Sequence, residues 1–99
     1  MLNITKNLEG DVLQVALEGR LDTTTAPELE SSLQESIGGA KELTMDFEKL
    51  EYISSAGLRV LLSAQKTMNS QGSMKLIHVG DEINEIFEVT GFSDILTIE

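Results

Sequence analysis

The order of its periodicities constrains this chain most. Two alternating segments stand back to back around a turn, and every later alternating segment is separated from the one before it by a helical one. Residues 2–8 read as a strand, with Leu2, Ile4 and Lys6 on one side and Asn3, Thr5 and Asn7 on the other. Glu9-Gly10-Asp11 is a turn cluster placed to close a hairpin. Val12, Leu13, Val15 and Leu17 then form a second strand, richer in apolar residues and so more deeply buried. Leu43, Met45 and Phe47 alternate as a third, with Asp46 near its carboxyl end; Lys75 to Val79 is a fourth; Ile95, Leu96 and Ile98 end the chain as a fifth.

The intervening segments carry helix signals. Thr25 is placed to cap, Pro27 fits a first turn where its missing N–H costs nothing, and Glu28 completes a capping box. Ala26, Leu29, Leu33 and Ile37 follow at helical spacing until Gly38-Gly39 stops the run. After Leu50 and Ile53, Leu58, Leu61, Leu62 and Gln65 share one face, widened by Val60, Ala64 and Met68, and Asn69-Ser70-Gln71-Gly72 ends it. Asp81 is placed to cap a third helix with Ile83, Ile86 and Phe87 on one face and Gly91 at its end. Strands that arrive through helices pair in parallel by right-handed crossovers. The expected fold is therefore α/β, a mixed and mostly parallel sheet of order β-β-α-β-α-β-α-β with helices packed on it.

A chain of 99 residues that is 40% hydrophobic builds a single core, read as one domain over 1–99. It buries roughly 60–65% of its unfolded surface. Without cysteine there is neither a disulfide framework nor a thiolate metal site, and no cofactor is expected. No basic start precedes an apolar run and no long apolar stretch occurs, so the expectation is a cytoplasmic protein without membrane insertion. Seventeen acidic against seven basic side chains give a net charge of −10. That charge repels nucleic acid and anionic lipid and favours partners with basic patches.

The chemistry-bearing segment is Ile53-Ser54-Ser55-Ala56-Gly57-Leu58-Arg59. A serine where a helix opens can cap it, which is the commonest use of such a residue. A phosphate at the same place would meet unpaired N–H groups and the positive end of the helix dipole. Gly57, lacking a Cβ, leaves room there for a partner's backbone or a phosphate.

The string Asp46-Phe47-Glu48-Lys49-Leu50-Glu51-Tyr52-Ile53-Ser54-Ser55-Ala56-Gly57-Leu58-Arg59-Val60-Leu61-Leu62 resembles the signature of STAS domains of the anti-sigma-factor-antagonist type. Glu18-Gly19-Arg20-Leu21-Asp22 followed by Thr25-Ala26 is similar to that family's earlier motif, and the likeness covers essentially the whole chain. The resemblance implies a bacterial switch that binds an anti-sigma factor which is also an ATP-dependent serine kinase, so releasing a sigma factor. It implies phosphorylation two positions before the glycine, at Ser55, release of the kinase by the phosphorylated form, and resetting by a metal-dependent serine phosphatase. Two departures stand out. Many relatives carry aspartate where this chain has Ser54, and serine or threonine where it has Ala56. Ser54 is thus an alternative acceptor.

Strand carboxyl ends gather beside helix N-termini in parallel sheets, so Asp22 and Asp46 are both candidates for the edge around Ser55. Asp22 has a plainer role in organising the turn before the first helix. Thr23, Thr24 and Thr25 are candidates for the same edge, and Arg59 is either a partner contact or a solvated cation. The expected partner surface is Asp22, Thr23, Thr24, Asp46, Ser54, Ser55, Ala56, Gly57, Leu58 and Arg59. His78, the lone histidine, reads as structural, and Met45, Met68 and Met74 as core.

Three other functions compete. An enzyme using Ser55 would need a positioned base, and the chain has no Gly-x-Ser-x-Gly elbow, phosphate loop or dinucleotide fingerprint. A carrier protein bearing an acceptor serine would be a helical bundle, against the strand alternation here. A constitutive STAS scaffold or subunit, within a lipid-transporter or sensory complex and without phosphorylation, shares the resemblance.

Overall fold

The computed structural model describes residues 2–99. The hairpin forms as expected: β1 (Leu2–Glu9) pairs antiparallel with β2 (Val12–Leu21), from Leu2 opposite Gly19 to Glu9 opposite Val12. Gly10 makes the tight turn at φ +63°, a conformation open to glycine at little cost. Helix α1 (Ala26–Ser36) and a short 3-10 turn (Ile37–Gly39) lead to β3 (Glu42–Ile53), which lies parallel to β2. Helix α2 (Ser55–Gln71) leads to β4 (Ser73–Ile77), parallel to β3, and α3 (Asp81–Thr90) follows. The sheet order is β1-β2-β3-β4.

Among the described residues, the helices cover only one sheet face. Leu13, Leu43 and Met74, and Val15, Met45 and Leu76, are buried in register across β2, β3 and β4, and Leu17 and Phe47 are buried where the β2–β3 ladder becomes irregular. They form one apolar cluster with Leu29 and Leu33 of α1, Leu61, Ala64 and Met68 of α2, and Ile83 and Phe87 of α3. The period-2 alternation of the strands and the helical stripes thus select the same face. Phe87 is fully buried, its ring centroid 6.3 Å from that of Phe47, where burying a phenylalanine contributes about 1.5–3 kcal/mol. Thr5, Gln14, Ala16, Thr44, Asp46 and Ile77 point to the opposite, open face, where they are exposed or half-buried.

Four local expectations need correction. The final segment contributes a single parallel bridge, Leu76 with Ile98, carried by Leu76 N–H to Thr97 O and Glu99 N–H to Leu76 O, each 2.9 Å. A 3-10 turn at Phe92–Asp94 takes up the chain first, and Ile95 is left 49% exposed. Second, β3 does not stop after Phe47. It runs on past irregularities in the β2–β3 ladder, so Leu50 and Ile53 are buried strand residues and Asp46 lies well inside the strand. Third, Thr25 makes no capping bond and no capping box forms. Its hydroxyl donates instead to Arg20 O at 2.8 Å and accepts the Asp22 N–H at 2.8 Å, tying the turn to β2. Fourth, Gly80, not Asp81, occupies the cap position of α3; Asp81 and Glu82 sit in its first turn, where the helix dipole favours them.

Candidate functional site

The site is built where β2 and β3 end together, at Leu21 opposite Ile53. The Ser54 N–H donates to Leu21 O at 2.9 Å, and Ser54 then adopts the extended geometry of a cap (φ −100°, ψ 176°). Its Oγ accepts the Gly57 N–H at 3.5 Å, a long capping bond. Ser55 is the first residue of α2 and is exposed. The N–H groups of Ser55 and Ala56 belong to the opening turn and have no intrahelical acceptor. The two serines therefore differ in kind: one hydroxyl is engaged in holding the helix, the other stands in solvent above its positive end.

Gly57 leaves no room for a partner. It is buried, and a methyl built on it would lie 2.7 Å from Leu21 Cγ and 2.9 Å from Ile53 Cγ1. The glycine lets the first turn of α2 sit against the strand ends. Leu58 is likewise buried, so both residues support the site from beneath and are not part of its outer surface. Ala56 is half-buried and Arg59 exposed.

Asp22 stands at the same edge and performs the turn role. Its Oδ1 accepts the Thr24 N–H at 3.0 Å, the Thr24 hydroxyl at 2.8 Å and the Thr25 N–H at 3.1 Å. The Thr24 hydroxyl bond, with the two backbone bonds, outweighs partial burial and holds the Asp22 carboxyl below its ordinary value. Thr23 and Thr24 are exposed beside it.

Asp46 is not with this group. It opposes Ala16, seven residues before Ile53, or about 20 Å along the strand, on the open face. Its Oδ1 lies 3.0 Å from His78 Nδ1 and accepts the Glu48 N–H at 2.9 Å. Burial opposes ionisation there, but the Glu48 N–H and His78 outweigh it, and the carboxyl is held below its ordinary value. His78 lies just beyond β4, exposed and at φ +56°, and the acidic neighbour that the local sequence does not offer comes from β3. The methionines behave as expected: Met45, Met68 and Met74 are buried.

Sequence reasoning missed Arg20 and Tyr52. They are register partners across β2 and β3, and the guanidinium carbon sits 4.4 Å from the Tyr52 ring centroid. Twenty residues of helix and loop, 22–41, divide β2 from β3, and only the shifted register brings the pair together, so local periodicity carries no sign of it. Among the described residues, no helix is long and apolar enough to cross a membrane.

A sheet covered on one side, with a serine-headed helix beside its strand ends, defines a small α/β domain with an exposed serine hydroxyl at a helix N-terminus. The STAS domain family model matches residues 3–99, and the chain belongs to that family. The anti-sigma-B factor antagonist of Staphylococcus aureus is 29% identical over 99 residues, covering 98% of this chain and 92% of that protein. Among solved structures, an anti-sigma factor antagonist from Mycobacterium paratuberculosis superposes with a TM-score of 0.89 at 19% identity, covering 99% of this chain and 85% of that one. The Bacillus cell fate determinant SpoIIAA in its phosphorylated form gives 0.77 at 16% identity, covering 98% and 91%. At these identities the two structures speak for the fold.

Proposed function

We propose that this protein is an anti-sigma factor antagonist that changes partners by phosphorylation of Ser55. Unphosphorylated, it binds an anti-sigma factor that is also a serine kinase and so frees a sigma factor. The kinase transfers phosphate from ATP to Ser55, the complex separates, and a metal-dependent serine phosphatase restores the hydroxyl. Family membership and the S. aureus antagonist support the role. The observation that carries the choice of residue is the contrast within the serine pair: Ser55 is exposed at the head of α2, while Ser54 Oγ is engaged with the Gly57 N–H.

Physical consequences follow from that placement. A phosphate on Ser55 adds about −1.5 to −2 charges at neutral pH. The opening N–H groups and the dipole of α2 accept such a charge, so the fold is retained. A partner surface fitted to a neutral hydroxyl does not accept it, and a phosphate there also fills space the partner needs. Asp22, Thr23, Thr24, Ser54, Ala56 and Arg59 surround the hydroxyl as the contact surface, with Gly57 and Leu58 beneath. Asp46 falls outside that surface.

The test is phosphorylation by the purified kinase with ATP. Ser55→Ala should bind the kinase and take no phosphate, and Ser54→Ala should be phosphorylated. Stoichiometric phosphate on the Ser55→Ala protein would overturn the assignment.

A further inference from the structure

We infer that Arg20, stacked on Tyr52, is a preformed docking point for a carboxylate on the partner kinase, and that it sets which kinase this protein accepts. The inference rests on the partner-switching reading and extends its surface to the preceding cross-strand pair of β2 and β3.

The platform lies beside the switch. Arg20 and Tyr52 immediately precede Leu21 and Ile53, and Leu21 O receives the Ser54 N–H at 2.9 Å. The Arg20 carbonyl in turn accepts the Thr25 hydroxyl at 2.8 Å, so the backbone under the arginine is held from the threonine turn as well. A partner covering Ser55 and Thr24 is therefore within reach of Arg20.

Its charge is out of keeping with the molecule. The chain carries 17 carboxylate side chains and only 7 basic ones, and its only two arginines are Arg20 and Arg59. Among the described residues, the ion pairs are those of Lys6, Lys75 and His78; Arg20 has no carboxylate within 4.0 Å and its guanidinium donates no hydrogen bond to another side chain or carbonyl. The guanidinium carbon lies over the Tyr52 ring at 4.4 Å, and among the described residues no acceptor takes its N–H donors. Those donors match a carboxylate in bidentate geometry.

The pair also has the composition of an energetic centre in an interface. Tyrosine and arginine are enriched among the residues that dominate binding. Tyr52 is 38% exposed, one of few large apolar side chains left at the surface. Restraining Arg20 on the ring removes part of the rotamer entropy that docking would otherwise cost. A pair serving the fold alone would be a weak exposed cation–π contact and would leave partner affinity unchanged. The general charge of −10 draws in a basic partner; Arg20 requires an acidic residue set within that basic surface.

The experiment uses the full chain. The kinase captured by the Ser55→Ala protein from its own cells is identified, purified and titrated calorimetrically with unphosphorylated native protein, Arg20→Gln, Arg20→Lys and Tyr52→Leu. Arg20→Gln should weaken binding about tenfold or more, a loss typical of a central interface residue. Arg20→Lys should recover only part of it, because an ammonium lacks the planar fork, and Tyr52→Leu should fall between. Thermal midpoints close to that of the native protein separate these losses from unfolding. Equal affinity of Arg20→Gln and native protein would overturn the inference while leaving the switch intact. A kinase that phosphorylates no serine of the native chain would overturn the switch and the inference with it.

Discussion

The Ser54 N–H donates to the Leu21 carbonyl oxygen at 2.9 Å, which pins the mouth of α2 to the last residue of β2. Because Asp22 begins the threonine turn at the next residue, one backbone contact sets the relation between the serine pair and the Asp22–Thr24 edge. The exposed hydroxyl is thus carried on a rigid corner of the sheet.

The serine pair should separate stability from modification. Ser54→Ala removes a cap whose bond is long, at 3.5 Å, and should cost about 0.5–1 kcal/mol in urea unfolding. Ser55→Ala touches an exposed side chain and should stay within about 0.5 kcal/mol of native. Equal losses at both positions would contradict the division of roles.

Gly57→Ala should destabilise despite a gain in helix propensity of about 1 kcal/mol. The new methyl meets Leu21 and Ile53, both buried against the core with nowhere to swing. Overpacking of this kind costs about 1–3 kcal/mol, so a net loss near 1 kcal/mol is expected. The same shift of the first turn should slow phosphorylation of Ser55. A Gly57→Ala protein more stable than native in chemical denaturation would refute the packing assignment.

Asp46 links stability to acid pH. Its carboxyl is held below the ordinary value of 3.8 in the folded chain, so its ionised form favours folding above about that pH. That contribution disappears as pH falls through the lower folded value. Asp46→Asn should therefore be less stable than native at pH 5, with the gap closing as the solution is acidified below 3.8. A gap that widens on acidification, measured by urea unfolding across this range, would contradict the sign.

The hairpin, the three helices and the parallel pairing of β2, β3 and β4 are legible in the sequence, because each rests on a local period. The serine at the head of α2 is legible for the same reason. What is not legible depends on register or on packing between elements. Gly57 reads as open space until Leu21 and Ile53 are brought under it. Asp46 reads as a strand-end residue until β3 continues through an irregular ladder to Ile53, and its histidine partner lies 32 residues away. Arg20 and Tyr52 meet only through that same shifted register. The final strand shrinks to one bridge, Leu76 with Ile98, because the chain leaves the 3-10 turn at Phe92–Asp94 with Ile95 still in helical backbone geometry.

The central claim is that Ser55 carries the switch, and intact-mass measurement with peptide mapping of the protein from its own cells, before and after serine-phosphatase treatment, tests it most directly. One removable phosphate on Ser55 is the expected result. Phosphate confined to Ser54, or none under any growth condition, would contradict it.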